Sequence, residues 1–430
     1  MITQINGALH ARFDPQLRAR TPELREAIGR FTQHLIAQED KLGLRSRARK
    51  DEDRRKFAIA VEAVACNLLM QGLIREDAAL AIPLDNNMMW GSNRYRNPVY
   101  GQHFLGLLEL LERLKLLKRV AKGYRFSKTA KAPSLFNAVA DLGKRFPKVT
   151  PASFRREQEP EILILKTGRD EDGNAALVNY SDSPKTRTLR RRVQRINDWL
   201  LDADIELTGT HDSARLGKEG EIIASYRRTV RRTFNNKSWQ QGGRLSGGFW
   251  MTMPRKDRFR QIRMNGKPVA DVDYQQLFPR LAYVRARAPQ PAGDLYDVMG
   301  DGTGRDGWKL LLNALLFTRG PLKRWPRDCS PLLPGLNLKQ ALALLDQKHE
   351  PIAHLFGTGI GFELMFLESE LLIAVVTHLF ESGIPALPLH DAVLVPEPNA
   401  EAAKAAMKYA FCAGSAQSRA FIKVDVGPGK

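Results

Sequence analysis

The spacing of apolar residues divides the chain into segments with different periods. Leu105, Leu108, Leu111 and Leu114 recur every third residue, with Leu107 and Leu110 widening the stripe, so a helix is expected early in the 100–130 stretch. Lys118–Val120, Gly123 and Tyr124–Phe126 then read as a short hairpin. A helix followed by a basic hairpin resembles the wing of a winged-helix DNA-contacting unit, a pattern that any helix–hairpin module shares. Upstream, residues 1–57 read as helical and highly charged. Thr21-Pro22-Glu23 is a helix start: a hydroxyl cap, Pro at the first helical position, then an acid near the positive dipole end. The charged run Arg45–Lys56 reads as a solvated helix or linker, and Phe57–Leu73 as a buried helix.

Two strands, Ile162–Leu165 and Ala176–Tyr180, are expected on either side of the turn-rich Asp170–Asn174. In the next segment Leu189, Val193, Ile196 and Leu200 share one helix face, while Arg187, Arg191 and Arg195 form a stripe on another, with no acid between 187 and 195. A second basic helix is expected over 224–234, where Arg227/Arg231 and Arg228/Arg232 stand four apart. Like charges at that spacing repel, so both stripes point to an anionic backbone lying against them. Beyond residue 240, helices and short strands alternate, which predicts an α+β fold.

Composition fits a folded protein of two or three domains: 430 residues, 43% apolar and 27% charged. The 67 Lys and Arg exceed the 47 Asp and Glu, a net charge of +20 that favours a polyanionic partner such as nucleic acid, with an acidic membrane surface as competitor. Cys66, Cys329 and Cys412 are far apart and form no CxxC pair, so neither a zinc ribbon nor a disulfide framework is indicated and a reducing, cytoplasmic setting is expected. The first residues lack the apolar core of a signal peptide. No stretch is expected to span a membrane, and Leu371–Phe380 reads as a buried helix.

Several motifs fail on spacing. His349 and His354 are one residue too far apart for a zinc-protease helix, and Pro351 breaks the helix between them. In Gly302–Lys309, Trp308 separates Gly307 from Lys309 and Leu310 replaces the hydroxyl that a P-loop needs. Gly357–Gly361 reads as a loop.

One constellation survives. Strand period places Val269, Asp271 and Asp273 on one face of Val269–Tyr274. Carboxylates on such a strand are costly unless they meet water, cations or a metal. His390-Asp391 interrupts two apolar runs, as at the tip of a tight hairpin. Between these two acid-bearing segments lies a helix from about Arg305 to Phe317. Arg305, Lys309, Asn313 and Phe317 project from one side of it, with cations suited to a triphosphate and a ring suited to a base.

These residues, in this order, resemble the catalytic core of family A nucleic-acid polymerases, which include DNA polymerases and the single-subunit phage RNA polymerases. The resemblance covers about residues 242–430. Gly243-Arg244-Leu245-Ser246 is similar to the T-G-R-L-S segment, with Gly242 in place of the usual Thr. Asp273-Tyr274-Gln275-Gln276-Leu277-Phe278-Pro279-Arg280 is similar to motif A, Arg305-x3-Lys309-x7-Phe317 to motif B, and Leu389-His390-Asp391-Ala392 to motif C. Val424-Asp425-Val426-Gly427 is similar to the closing strand.

The resemblance implies a right-hand polymerase with an antiparallel-sheet palm over 261–430, a compact fingers insertion at about 290–365, and reduced thumb-like basic helices within 151–260. It leaves 1–150 as a mainly helical N-terminal domain. It implies that Asp273 and Asp391, with the carbonyl of Tyr274, hold two Mg²⁺ ions that Mn²⁺ can replace. Arg305 and Lys309 would grip the triphosphate and Phe317 would abut the nascent pair. Arg244 and His390 would meet the primer end. The partners implied are primer-template DNA and dNTPs, with NTPs as the alternative. Arg187, Arg191, Arg195, Arg227 and Arg231 are expected along the nucleic-acid backbone. The N-terminal 240 residues hold no exonuclease motif, so no proofreading is expected.

The chain also departs from the family. Ala392 stands where the DNA enzymes place a Glu, as an acid is also lacking in the phage RNA polymerases. Phe278 replaces the Glu that disfavours ribonucleotides, and its ring is expected to block a 2′-hydroxyl instead. Phe317 replaces a Tyr. A single-subunit RNA polymerase or primase, an untemplated terminal transferase, and a non-catalytic DNA-binding replication factor therefore stand as alternatives.

Overall fold

The computed structural model describes residues 9–74, 78–84, 89, 93–125, 131–139, 142–170, 173–208, 222–413 and 420–427. They form a mixed α+β protein with several sheets, divided between two compact units.

The first unit takes in the described residues of Met1–Glu161, Gly209–Arg227 and Thr252–Pro254. Its elements begin with strands β1 (His10–Arg12) and β2 (Leu17–Ala19) and helices α1 (Pro22–Lys41) and α2 (Asp51–Ile74). Strand β3 (Ala79–Ile82), helix α3 (Gln102–Arg113) and strands β4 (Leu117–Ala121), β5 (Tyr124–Arg125), β6 (Lys131–Ala132), β7 (Ser134–Ala138) and β8 (Phe154–Arg156) follow. The Thr21 side chain caps α1 by accepting from the Leu24 amide at 3.4 Å, with Pro22 at the first helical position. Four strands line up as β1-β3-β7-β4, and Phe57, Phe104, Phe136 and Leu107 fill the core between this sheet and the helices.

The sequence reading of this unit needs four corrections. The first 57 residues are not all helical, because β1 and β2 precede α1. Arg49 is not a solvated cation: it pairs with buried Glu39 at 2.7 Å and stacks on Phe57. The segments 118–121 and 124–125 do not pair with each other. β4 pairs with β7 and β5 with β6, giving a longer arm, since cross-strand contacts and not adjacency set the pairing. The expected hairpin end, Phe126, lies outside the described residues. Finally, α2 is long and apolar enough to cross a membrane by length and composition, although the sequence reading found no such stretch. Most of its apolar window is buried inside this unit, as expected for Phe57–Leu73.

The second unit comprises Ile162–Thr208, Arg228–Met251 and the described residues of Arg255–Lys430. It contains β9 (Leu163–Leu165), α4 (Pro184–Asp202), β10 (Ile205–Leu207), β11 (Arg231–Phe234), β12 (Gly242–Ser246), α5 (Arg255–Gln261), β13 (Ile262–Met264) and β14 (Lys267–Tyr274). The chain continues through α6 (Leu277–Ala286), α7 (Arg305–Phe317), α8 (Leu338–Lys348), α9 (Glu350–Ala353) and α10 (Gly361–Glu381). It closes with β15 (Leu387–Leu389), β16 (Ala392–Pro396), α11 (Ala400–Cys412) and β17 (Ile422–Val426). Strand β14 is the spine of a six-stranded sheet. Val272 stands opposite Val393 of β16 on one edge and Val424 of β17 on the other, both antiparallel. One face of β14 packs on α11, where the Tyr274 hydroxyl donates to the Met407 carbonyl at 2.6 Å. Strand period therefore turns Asp271 and Asp273 to the opposite face.

The helix expected over 224–234 is absent: Arg231–Phe234 is strand β11, paired with β12 and β9. Thr229, Val230, Thr233 and Phe234 are β-branched or aromatic, and sheet partners outweigh the four-residue Arg spacing. Of the expected second strand at 176–180, a single bridge between Lys166 and Leu177 forms. No disulfide joins Cys66, Cys329 or Cys412 among the described residues.

Candidate active site

Asp273 sits at the penultimate position of β14, and Asp391 in the two-residue turn joining β15 to β16. The strand register brings them together. Asp273 pairs with Ala392, and the Tyr274 amide donates to the Asp391 carbonyl at 3.1 Å. His390 completes the turn at φ 59°, a left-handed conformation that a non-glycine residue enters at a cost of about 1 kcal/mol. Two-residue hairpin turns require such a residue, so the tip that carries Asp391 is fixed by backbone geometry.

Asp273 is electrostatically crowded. Burial, then the like charges of Asp391 and Asp271, push its carboxyl up to about 7, with Lys309 pulling the other way. Its Oδ2 accepts from Gln275 Nε2 at 2.8 Å. Asp271 is raised by burial despite Arg258 and Arg255, and its Oδ1 is buried without a partner. Asp425 stands directly opposite Asp271 on β17, and Arg255 lies against both. Among the described residues no group of three or more His, Cys, Asp or Glu is arranged to hold a metal by itself. The donor set of Asp273 and Asp391, two neighbouring carboxylates of like charge, fits a hard cation that also takes substrate oxygens.

Helix α7 faces this pair. Its residues Arg305, Lys309, Asn313 and Phe317 lie on one face as the four-residue spacing requires. Lys309 acts on Asp273, as noted, and its Nζ lies 5.9 Å from the centroid of the Tyr296 ring. The Arg305 guanidinium lies 5.3 Å from the same ring, and its Nε donates to Asp294 Oδ2 at 2.5 Å. The Oδ1 of Asn313 is buried and has no partner. Phe317 meets Phe278 at 5.3 Å and Phe362 at 5.4 Å, both edge-on. Gly361 lies flat against Phe317, since a Cβ there would come 2.6 Å from the ring.

Arg244, on β12, stacks over Phe278 at 5.4 Å and donates from Nε and Nη2 to Glu368 at 2.6 and 2.9 Å. Glu368 is 1% exposed, and burial raises its carboxyl against the pull of Arg244, with Asp391 adding to the rise. The structure thus brings Asp273, Asp391, Tyr274, Lys309, Arg305, Phe317, Phe278, Arg244 and His390 into the second unit around one site.

The arginines expected along a nucleic-acid backbone are dispersed. Arg187 and Arg191 are exposed on α4 beside an open cleft of about 500 Å³ lined by Pro184, Thr188, Arg190 and Gln194. Arg195 is not uncompensated: it pairs with Glu381 at 3.0 Å and stacks on Trp199. Arg231 is exposed at the start of β11. Arg227 turns inward within the first unit. There it lies 3.3 Å from Asp14 and, with Arg156, holds that buried carboxyl below the usual range although burial pushes it up.

Four residues escaped the sequence reading. Asp294 and Tyr296 lie in a loop held by Gln276, which accepts from the Leu295 amide at 2.9 Å, and by His349, whose Nε2 contacts the Leu295 carbonyl at 3.0 Å. No local period marks them. Phe362 is hidden in an apolar run. Glu368 did leave a signal: it stands between Leu364 and Leu372 at four-residue spacing, an acid on a buried stripe.

No protein-family model matches the chain, and no curated protein matches it either. Among solved structures, the chain is similar to the POL domain of Pol1 from M. smegmatis, in complex with DNA primer-template and dNTP, at 13% identity and a TM-score of 0.31. The match covers 60% of this chain and 57% of that one, so the chain spans little more than half its length. So distant a likeness fixes neither fold nor function.

Proposed function

We propose that the chain is a nucleotidyltransferase, a template-directed DNA polymerase that adds dNTPs to a primer 3′-hydroxyl without proofreading. The observation that carries this reading is the meeting of Asp273, on β14, with Asp391, in the β15–β16 turn, near Lys309 of α7. Asp273 and Asp391, with the Tyr274 carbonyl, would hold two Mg²⁺, or Mn²⁺ in their place. When bound, these ions lower the pKa of the 3′-hydroxyl and neutralise the leaving pyrophosphate.

The chain's own residues supply the rest. Lys309 and Arg305 receive the triphosphate, and Arg305 exchanges Asp294 for phosphate oxygens. Phe317 abuts the new base pair, while Asn313 Oδ1 offers an unused acceptor on the same face. Phe278, wedged between Arg244 and Phe317, crowds the 2′ position of the sugar. His390 and Arg244 face the primer end.

In this reading β13, β14, β15, β16 and β17 form the palm, α7 to α9 compact fingers, and α4 a reduced thumb that follows the duplex with Arg187 and Arg191. The helix α3 and the basic arm built on β4 and β7 form a winged-helix-like DNA contact.

Primer extension on a DNA template, with dNTPs and NTPs compared, tests the proposal. Wild type should extend with dNTPs, and Asp273→Ala should abolish synthesis while leaving duplex binding intact. Use of NTPs alone would make it an RNA polymerase or primase. Template-independent product would make it a terminal transferase. Binding without extension in Mg²⁺ or Mn²⁺ would make it a non-catalytic replication factor.

A further inference from the structure

We infer that Asp294 is a built-in counter-ion that competes for Arg305 with the polyphosphate of the incoming nucleotide and with the pyrophosphate that leaves. The inference deepens the polymerase reading of the site and rests on it for the identity of both ligands.

Asp294 is fixed in place. Its Oδ1 accepts from the Tyr296 amide at 2.9 Å, closing a turn on its own loop. The next residue, Leu295, is fully buried and held at both backbone groups. Its amide donates to Gln276 Oε1 at 2.9 Å, and its carbonyl lies 3.0 Å from His349 Nε2. His349 is also fully buried, and its Nδ1 lies 3.1 Å from the Tyr283 hydroxyl. A neutral imidazole satisfies both contacts, donating to the carbonyl and accepting from the hydroxyl. The histidine that fits no zinc motif thus braces this loop. On the other side of Asp294, the Gly293 carbonyl accepts from Arg280 Nη2 at 3.1 Å, and the same nitrogen donates to Gln276 Oε1 at 3.0 Å.

The arginine is therefore the partner that must move. The Arg305 side chain is 39% exposed and that of Asp294 32%, so water reaches the pair. An ion pair in that setting adds little to the stability of a fold. What the carboxylate does is neutralise one cation of the α7 face before any ligand arrives. Lys309, against the same Tyr296 ring, acts on Asp273 instead. A polyphosphate that takes the Arg305 guanidinium displaces a charge-assisted bond and binds more weakly by that amount. The same competition speeds departure of the product: once the bond to the primer has formed, Asp294 recaptures Arg305 from pyrophosphate.

The test uses the full chain and inorganic pyrophosphate with Mg²⁺, its Kd measured by calorimetry, alongside the KM for dNTP in primer extension. Asp294→Asn keeps an oxygen for the Tyr296 amide and removes the charge. It should lower both constants about five- to tenfold, without raising kcat. A merely structural role predicts the opposite sign, because a loosened loop would raise both. In an Arg305→Ala background, Asp294→Asn should leave the pyrophosphate Kd unchanged, since the carboxylate acts through Arg305. If Asp294→Asn does not fold, Asp294→Ser, which also accepts from that amide, takes its place. A wild type that extends, with a pyrophosphate Kd that is unchanged or weaker in the Asn variant or tightened equally without Arg305, would overturn this inference alone. A wild type that never extends, but whose Asn variant binds pyrophosphate more tightly, would overturn the polymerase reading and leave the competition at Arg305 standing. Pyrophosphate bound by neither protein would overturn the inference outright.

Discussion

Asp273 gives a measurable consequence at the scale of one residue. Its carboxyl is raised to about 7 in the fold, against 3.8 when free, by burial and by Asp391 and Asp271. The folded chain binds the extra proton between those values, so this group's contribution to stability is lost as pH rises from about 4 to 7. Asp273→Asn should therefore stabilise the metal-free protein at pH 8 by on the order of 1–3 kcal/mol and flatten the slope of its unfolding midpoint against pH. An unchanged slope would mean that the three aspartates are not crowded. Mg²⁺ added to wild type should produce a similar gain, and should produce little in the variant. Phe278 is testable on the same scale. It packs between Arg244 and Phe317, and in the polymerase reading proposed above it crowds the 2′ position of the sugar. Phe278→Val should shift the dNTP-to-NTP ratio of kcat/KM towards NTPs by about ten- to a hundredfold, a loss of about 1–3 kcal/mol of discrimination.

Among elements, the β11–β12 hairpin shows how tertiary partners override local pattern. The four-residue Arg spacing predicts a helix over 224–234, yet Arg232 is buried beneath α10 and β11 pairs on both edges. Removing the arginine would leave Glu370 facing Arg192 alone and Ser369 with only its bond to the Phe366 carbonyl. Arg232→Ala should cost about 3–5 kcal/mol in denaturant unfolding, the penalty of breaking a buried pair. A cost below 1 kcal/mol would show the clamp to be ornamental. By contrast α4, α7 and α10 were legible, because apolar stripes at helical spacing need only their own sequence to be read. Helix α4 carries the lesson within itself. Segment 187–195 holds no acid, but Glu381, from a distant helix, reaches Arg195.

For the whole molecule the net charge of +20 predicts salt-sensitive nucleic-acid binding, and the structure narrows which cations are available. Arg227, Arg232 and Arg195 are engaged by acids, whereas Arg187 and Arg191 stand exposed along α4. Replacing Arg187 and Arg191 together with Ala should weaken duplex binding across sequences. It should also reduce the slope of log affinity against log salt by about 2, close to one phosphate contact each. An unaltered slope would move the duplex track off this helix.

The candidate site was legible in part for a physical reason. Periodicity is local, so the sequence by itself determined that Asp273 lies on a strand, that Asp391 lies in a turn, and that Arg305, Lys309, Asn313 and Phe317 share a helix face. Convergence is not local. Strand register set Asp273 beside Asp391, folding around α10 supplied Glu368 to Arg244, and the loop braced by Gln276 delivered Asp294 and Tyr296 to the α7 cations. The carboxylate pKa values and the pairing of each arginine depend on distances through space between residues far apart in the chain. Only the tertiary structure decides those distances.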